Sequence, residues 1–320
     1  MEKLKLNTIY QGDCLEVLKT FPDESINCVV TSPPYIGLRD YGHNGQLGLE
    51  KSPELYVEKL VTIFSEIKRI LKNDGSLWLN LGDCYAGAGG MGSFVDNKAK
   101  KGMQTIKQYV RNKPIKGLKP KDLIGIPWRV AFALQQSGWY LRSDIIWHKP
   151  NPMPESVKDR PTKAHEYIFL LTKNARYYYD ADSIKEKSID PESYSGRRKR
   201  NIHKIAIYDT KHAQAIQTGK GKIGVKYEMR NKRSVWTVNT FSFSDAHFAT
   251  FPPKLIMPCI KAGCPENGIV LDPFFGSGTT GEVALRLNRK FIGIELNPEY
   301  IKIANKRLSA HLQTLFTCTE

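Results

Sequence analysis

The sequence predicts an α/β fold: an open sheet of mainly parallel strands, with a basic module inserted between its two halves. Three observations carry this. Residues 6–81 and 253–311 alternate short apolar runs with stretches of helical periodicity, joined by short connections, which is the pattern of β-α-β units and parallel pairing. Between these blocks, from about residue 180 to residue 235, apolar periodicity fades and basic residues dominate. A chain of 320 residues has room for one large α/β domain and such a module.

Taken in order, Leu6–Tyr10 reads as a short strand, Gly12-Asp13-Cys14 as a turn, Cys14–Thr20 as a short helix and Asn27–Thr31 as a buried strand. Past a glycine-containing loop at 37–48, Ser52-Pro53 opens a helix with residues favoured at the cap and first turn. Its apolar stripe is Leu55, Leu60, Ile63, Phe64, Ile67, Ile70 and Leu71, the face of a helix packed on a sheet. Asn73-Asp74-Gly75 is expected to end it before a strand at Ser76–Leu81. Residues 86–121, first glycine-rich and then lysine-rich, are expected to form a mobile basic loop. A helix near Leu123–Ser137, strands at Leu141–Trp147 and His165–Thr172, and a candidate strand at Tyr177–Tyr179 follow. The last block reads as helix Pro253–Ala262, strand Ile269–Asp272, helix Thr279–Leu287, strand Phe291–Glu295 and helix Pro298–His311. The expected organisation is therefore 1–179, an insert at 180–235, and 236–320.

Composition narrows the function classes. Apolar content of 41% is ordinary for a soluble protein, no apolar run reaches the length of a membrane span, and the first residues lack the apolar core of a signal peptide, so a cytoplasmic location is expected. Six cysteines without CxxC spacing read as core filler in a reducing compartment, with no metal site or disulfide expected. The net charge of +16 points to a polyanionic partner. From Arg197 to Arg233 twelve Lys/Arg face two acids, and Lys98–Lys121 holds nine more basic residues. The run Arg197, Arg198, Lys199 and Arg200 is the candidate phosphate-binding cluster, against the alternative of a solvated face.

Two motifs carry chemistry. Thr31-Ser32-Pro33-Pro34-Tyr35 follows an apolar strand, and two prolines can neither continue a helix nor donate to a sheet ladder. The strand must end in a stiff turn at the carboxyl edge, where open α/β sheets bind ligands. That turn offers the Ser32 hydroxyl, the Pro33 carbonyl and the Tyr35 ring: two acceptors and a stacking face, suited to a flat base with an exocyclic amine. Far downstream, Asp272-Pro273-Phe274-Phe275-Gly276-Ser277-Gly278-Thr279-Thr280-Gly281 follows another apolar strand and opens a helix, with Glu295 at the end of the next strand. Glycines for a tight turn and an acid for ribose hydroxyls match a dinucleotide fingerprint, which makes an NAD-dependent oxidoreductase a rival reading. Only 25 residues remain beyond Glu295, too few for the further β-α units of a dinucleotide fold. Phe274 and Phe275 also suit an adenine or methionine portion better than a pyrophosphate. A mononucleoside cofactor such as S-adenosylmethionine meets both points.

The two motifs, in this order and with a basic region between them, resemble the β class of prokaryotic DNA amino-methyltransferases. The resemblance runs from Ile9 to about Tyr300. It implies a Rossmann-like, S-adenosylmethionine-dependent methyltransferase sheet with permuted motif order and a target-recognition insert. It further implies that Glu295 holds the ribose hydroxyls, with Asn297 beside it, and that Asp13 and Cys14 border the adenine. The segment His247-Phe248-Ala249-Thr250-Phe251-Pro252 resembles the motif packed around the methionine part, although many members carry lysine where Phe251 stands. His247 and Thr250 are thus expected cofactor contacts together with Asp272, Phe274, Gly276, Ser277, Gly278, Thr279 and Thr280. The implied partners are duplex DNA and a cognate restriction endonuclease of a restriction-modification pair, with monomer and homodimer both open.

Such enzymes act on a base flipped from the duplex. Ser32 and the Pro33 carbonyl would accept the amine's hydrogens and turn its lone pair toward the methyl donor, interactions that strengthen as charge develops. In this class serine at the first motif position goes mainly with cytosine N4, and aspartate or asparagine with adenine N6. Cytosine N4 is the expected target and adenine N6 the alternative. Cytosine C5 chemistry would need a thiolate, and the one Pro-Cys pair, Pro258-Cys259, lies in a helix-like stretch. An RNA methyltransferase and a DNA-binding partner without catalysis remain further readings.

Overall fold

The computed structural model describes residues 4–36, 45–86, 118–188, 228–240 and 251–317. The chain divides into two compact units, one of Met1–Asp180 with Arg233–Glu320 and one of Ala181–Lys232.

The larger unit begins with β1 (Thr8–Gln11) and α1 (Cys14–Lys19), whose cap is Asp13: its Oδ1 accepts from the Leu15 and Glu16 amides at 2.9 and 3.2 Å. β2 (Ile26–Thr31) follows, then α2 (Pro53–Ile70), capped by Ser52 through a 3.3 Å bond from the Leu55 amide. Helix α2 passes directly into β3 (Leu71–Leu81). The expected helix stop at Asn73-Asp74-Gly75 instead lies within that strand, where pairing with β2 jumps from Ile26–Leu71 to Cys28–Ser76. The extra residues bulge out of the ladder, so the turn-forming composition bends a strand instead of ending a helix.

Next come α3 (Ile126–Gln136), β4 (Tyr140–His148) and β5 (His165–Thr172). Tyr177–Tyr179 is not a strand: the Tyr178 amide donates to Asp74 O at 2.8 Å and the Tyr179 ring stacks on Trp78. A short strand that periodicity did not suggest, Val235–Thr237, pairs in parallel with β4. The unit closes with α4 (Pro253–Gly263), β9 (Ile269–Asp272), α5 (Thr279–Arg286), β10 (Lys290–Glu295) and α6 (Pro298–Thr317). In the smaller unit, β6 (Glu186–Lys187) pairs antiparallel with β7 (Met229–Arg230), and Arg230 Nε donates to Glu186 Oε1 at 3.0 Å. Val235–Thr237 is therefore β8 in chain order.

The sheet order is β1-β10-β9-β2-β3-β5-β4-β8, parallel except where β5 runs against β3 and β4. Alternation splits its side chains between two faces. Val29, Leu77, Leu79, Leu271 and Ile292 join the core formed with Leu18, Tyr56, Ile63 and Val130 of the first three helices. Cys28, Val30, Trp78 and Val270 take the other alternation, the side of Leu255, Cys259 and Val283 from α4 and α5. A sheet covered on both faces explains why the central strands read as near-continuous apolar runs.

Candidate active site

The two halves of the sequence meet in the middle of the sheet. β9 and β2 are neighbours, yet the chain leaves β9 toward β10 on one side and leaves β2 toward β3 on the other. Where strand order reverses in this way, a crevice opens at the carboxyl edge. A cavity of about 280 Å³ occupies it, lined by both motifs.

On the β9 side the floor is Asp272. Its Oδ1 accepts from Thr31 Oγ1 at 2.6 Å and from the Phe274 amide at 3.1 Å, and its Oδ2 accepts from Thr280 Oγ1 at 2.7 Å. Burial pushes this carboxyl up to about 6, against the opposing pull of the two threonine hydroxyls. Glu295, at the end of β10, holds the glycine loop: Oε2 accepts from the Gly276 amide at 2.7 Å and Oε1 from the Asn297 amide at 2.9 Å. The Gly12 amide donates to Glu295 O at 3.1 Å, which seats Asp13 and Cys14 on the same cavity wall. Burial pushes the Cys14 thiol up to about 12, so it presents a neutral surface.

The expected loop residues divide into two groups. Asp272, Phe274, Gly276, Ser277 and Thr279 line the cavity, whereas Gly278 and Thr280 stand behind it. Gly278 adopts φ +81° at the entrance of α5, and a Cβ there would meet Ala304 Cβ at 3.1 Å. Thr280 spends its hydroxyl on Asp272 and on Val30 O. Phe275 lines the cavity beside Phe274, and its ring packs at the same time against Phe291 and Gly293. Arg307 of α6 fixes the loop from outside, pairing with Glu282 and donating to Thr279 Oγ1 at 2.8 Å. His247, Thr250 and the Arg197, Arg198, Lys199, Arg200 run lie outside the described residues; so does most of the basic loop, at 87–117.

On the β2 side, Ser32, Pro33, Pro34 and Tyr35 line the same cavity. Tyr56 of α2 donates to Pro34 O at 2.9 Å and pins the turn. The Tyr35 ring lies against Gly82, where a Cβ would come within 2.5 Å of Cε2. Its hydroxyl sits in a polar cluster: it donates to Glu166 Oε2 at 2.7 Å and receives Ser32 Oγ at 3.3 Å. Asn80 Nδ2 donates to the same Glu166 oxygen at 3.1 Å, and Lys149 forms a salt bridge to the other. Lys149 Nζ also lies 4.3 Å from the Trp147 ring. Burial, and then the Glu166 charge, hold the Tyr35 phenol well above its ordinary value.

Asn80 and Glu166 were not anticipated; Lys149 belongs to the aromatic, proline-rich segment Trp147–Pro154, whose sequence suits either a base-pocket wall or a rigid connector, and Trp147 and Lys149 line the cavity. Glu166 is the one acid in an apolar strand, but its meaning depends on β5 running backwards, which puts that strand's first residues beside the ends of β3 and β4. Register places Glu166 opposite Trp147 and Tyr167 opposite Leu81.

A DNA methylase family profile matches residues 26–306. The chain belongs to the DNA methylase family. This methylase is 50% identical over 309 residues to the Type II methyltransferase M.Cfr9I of Citrobacter freundii, covering 96% of this chain and 90% of that one. It is 46% identical over 300 residues to M.SmaI of Serratia marcescens, covering 94% and 90%. Its fold is shared with PvuII DNA methyltransferase (cytosine-N4-specific), at TM-score 0.61 and 22% identity over 95% of this chain and 86% of that one. It is also shared with a putative DNA modification methylase of Thermus thermophilus complexed with S-adenosyl-L-methionine, at TM-score 0.56 and 22% identity over 95% of each chain. The methylase is thus a site-specific DNA amino-methyltransferase of the prokaryotic type, built on the Rossmann-like sheet and dependent on S-adenosylmethionine. Its residues suit that cofactor. Asp13, Asp272 and Glu295 give the cavity a negative lining for a sulfonium and an ammonium. Gly276, at φ +51° with nothing within 4 Å of a would-be Cβ, leaves backbone open beside them. No helix among the described residues is long and apolar enough to cross a membrane.

Proposed function

We propose that this chain methylates the N4 amine of cytosine in duplex DNA, on a base flipped out of the helix, as the modification half of a restriction-modification pair. The observation that carries the reading is Ser32 at the carboxyl edge of β2, in one cavity with the glycine loop and Glu295. Serine at this position favours cytosine within the class, and the PvuII fold neighbour is itself named cytosine-N4-specific.

S-adenosylmethionine supplies an electrophilic methyl group; Glu295, Asp13 and the backbone at Gly276 are the groups to hold it. An exocyclic amine is a poor nucleophile because its lone pair is delocalised into the ring. Ser32 Oγ and the Pro33 carbonyl accept its two N–H groups and favour a pyramidal nitrogen, a gain that grows as positive charge develops. The Pro34 carbonyl already accepts from Tyr56, which leaves the Pro33 carbonyl for the substrate. Stacking on the Tyr35 ring is worth roughly 1–3 kcal/mol and offsets much of the few kcal/mol that flipping costs. The Type II methyltransferase names of the relatives support the reading of a cognate endonuclease.

The test is product identity. Purified protein is incubated with duplex DNA and S-adenosylmethionine, the DNA is digested to nucleosides, and the product is identified by mass and retention. N4-methylcytosine is expected. N6-methyladenine keeps the mechanism and overturns the base.

A further inference from the structure

We infer that Ser32, Tyr35 and Glu166 form a proton wire that removes the proton released by methyl transfer, with the Glu166 carboxylate as its acceptor. The inference rests on the proposed amine chemistry at Ser32 and adds the route by which that chemistry ends.

Attack by the amine forms an N–C bond and breaks the S–C bond, whose electron pair stays on sulfur. The nitrogen is left cationic with one proton too many. A cation on the exocyclic amine of an electron-poor base, whose lone pair regains conjugation when the proton leaves, is a stronger acid than an ordinary carboxyl, so the proton leaves downhill to an acceptor in line. Ser32 Oγ, which accepts an amine N–H in the substrate pose, donates its own proton to Tyr35 Oη at 3.3 Å. Tyr35 Oη in turn donates to Glu166 Oε2 at 2.7 Å. One concerted shift moves a proton from nitrogen to Ser32, from Ser32 to Tyr35 and from Tyr35 to Glu166. The products are a neutral methylamine, two unchanged hydroxyls and a protonated carboxyl.

The surroundings of Glu166 fit an acceptor kept ready. Lys149 holds its other oxygen in a salt bridge, and Asn80 Nδ2 donates to Oε2 at 3.1 Å while tied to Tyr167 O at 3.0 Å. Lys163 and His165 are the other titratable groups whose charge it feels. The Tyr35 phenol, held neutral by its burial, passes a proton without ionising itself.

The experiment uses the full chain with Tyr35→Phe and Glu166→Gln. The first keeps the ring and cuts the wire; the second keeps a hydrogen-bonding side chain that cannot take a proton. Single-turnover methylation is followed from preformed enzyme–cofactor–DNA complexes in ordinary and in heavy water, so that binding steps are excluded. Both variants are expected to lose about 100-fold in rate. Their melting temperatures and cofactor affinities should stay close to wild type. The wild-type rate should slow in heavy water, and both variants should lose that isotope effect. A near-wild-type rate in either variant overturns the wire, as does a slow variant that keeps the wild-type isotope effect. Product mass on the wild type reports separately on the reading beneath: a methyl group found off the exocyclic amine overturns both, and a methylamine product with unaffected variants overturns the wire alone.

Discussion

Thr31 Oγ1 donates a 2.6 Å hydrogen bond to Asp272 Oδ1, joining the last residue of β2 to the last residue of β9 across 241 positions of sequence. The two strands carry the two motifs, so this bond sets the Ser32–Tyr35 turn against the glycine loop. It also leaves a buried acid at the junction, and that acid titrates.

Asp272 rises from the ordinary carboxyl value of 3.8 to about 6 in the folded protein. The folded state therefore holds this proton more tightly than the unfolded chain. The stability it contributes is full below about pH 4 and is lost as pH rises through about 6. Relative to Asp272→Asn, wild type should lose about 3 kcal/mol between those limits. Urea unfolding across the range checks this, and parallel profiles would rule it out. Cofactor affinity should move the opposite way, rising over the same range because the ionised carboxylate favours a cationic ligand.

Glu295→Ala removes the acceptor of both the Gly276 and Asn297 amides. Loss of two charge-assisted hydrogen bonds at the cofactor loop should weaken S-adenosylmethionine binding by about 10- to 100-fold. Glu295→Gln, with one carbonyl oxygen left, should fall between. Calorimetric titration decides it, and an unchanged affinity in the alanine variant would remove Glu295 from the cofactor site.

Gly82→Ala places a methyl group 2.5 Å from Tyr35 Cε2. The ring must shift, and methylation should slow by about 100-fold while cofactor affinity holds. Equal losses in both would mean that the substitution disturbs the sheet edge as a whole.

Replacing Arg197, Arg198, Lys199 and Arg200 with alanine should flatten the salt dependence of DNA binding. With about six phosphates neutralised by wild type, log K should fall with log salt at a slope of about −5, and the variant's slope should be shallower by about 4 if all four meet phosphates. An unaltered slope would make the run a solvated face.

How much of this was legible beforehand depends on how local the signal was. Asp272, Glu295 and Ser32 were readable because each sits where a strand visibly ends, at Gly-rich or Pro-Pro punctuation. Capping was readable where proline follows the cap: Ser52 and Asn297 each precede a helix and accept from its first amides, whereas Asp13, which reads as part of a turn, proves to be a cap as well. Glu166 and Asn80 were hidden because nothing near them in sequence distinguishes them. They become a site only when antiparallel β5 returns its first residues to the edge where β2, β3 and β4 end. The Asn73-Asp74-Gly75 stop was misread for a related reason: turn-forming residues signal a break in the ladder but do not say whether the break ends a helix or bulges a strand. Val235–Thr237 was missed because a three-residue edge strand has too few positions to show a period.

The placement of β9 between β10 and β2 also sets when the protein can come into being. β1 pairs with β10 and β2 leans on β9, so these strands wait for partners that lie far downstream in the chain. Such long-range closure makes folding slow and leaves strand edges exposed on the ribosome. A chain cut short before Ile269 keeps the Ser32–Tyr35 turn yet lacks both the strand that Thr31 grips and the glycine loop that follows it, so the cavity exists only once both are made.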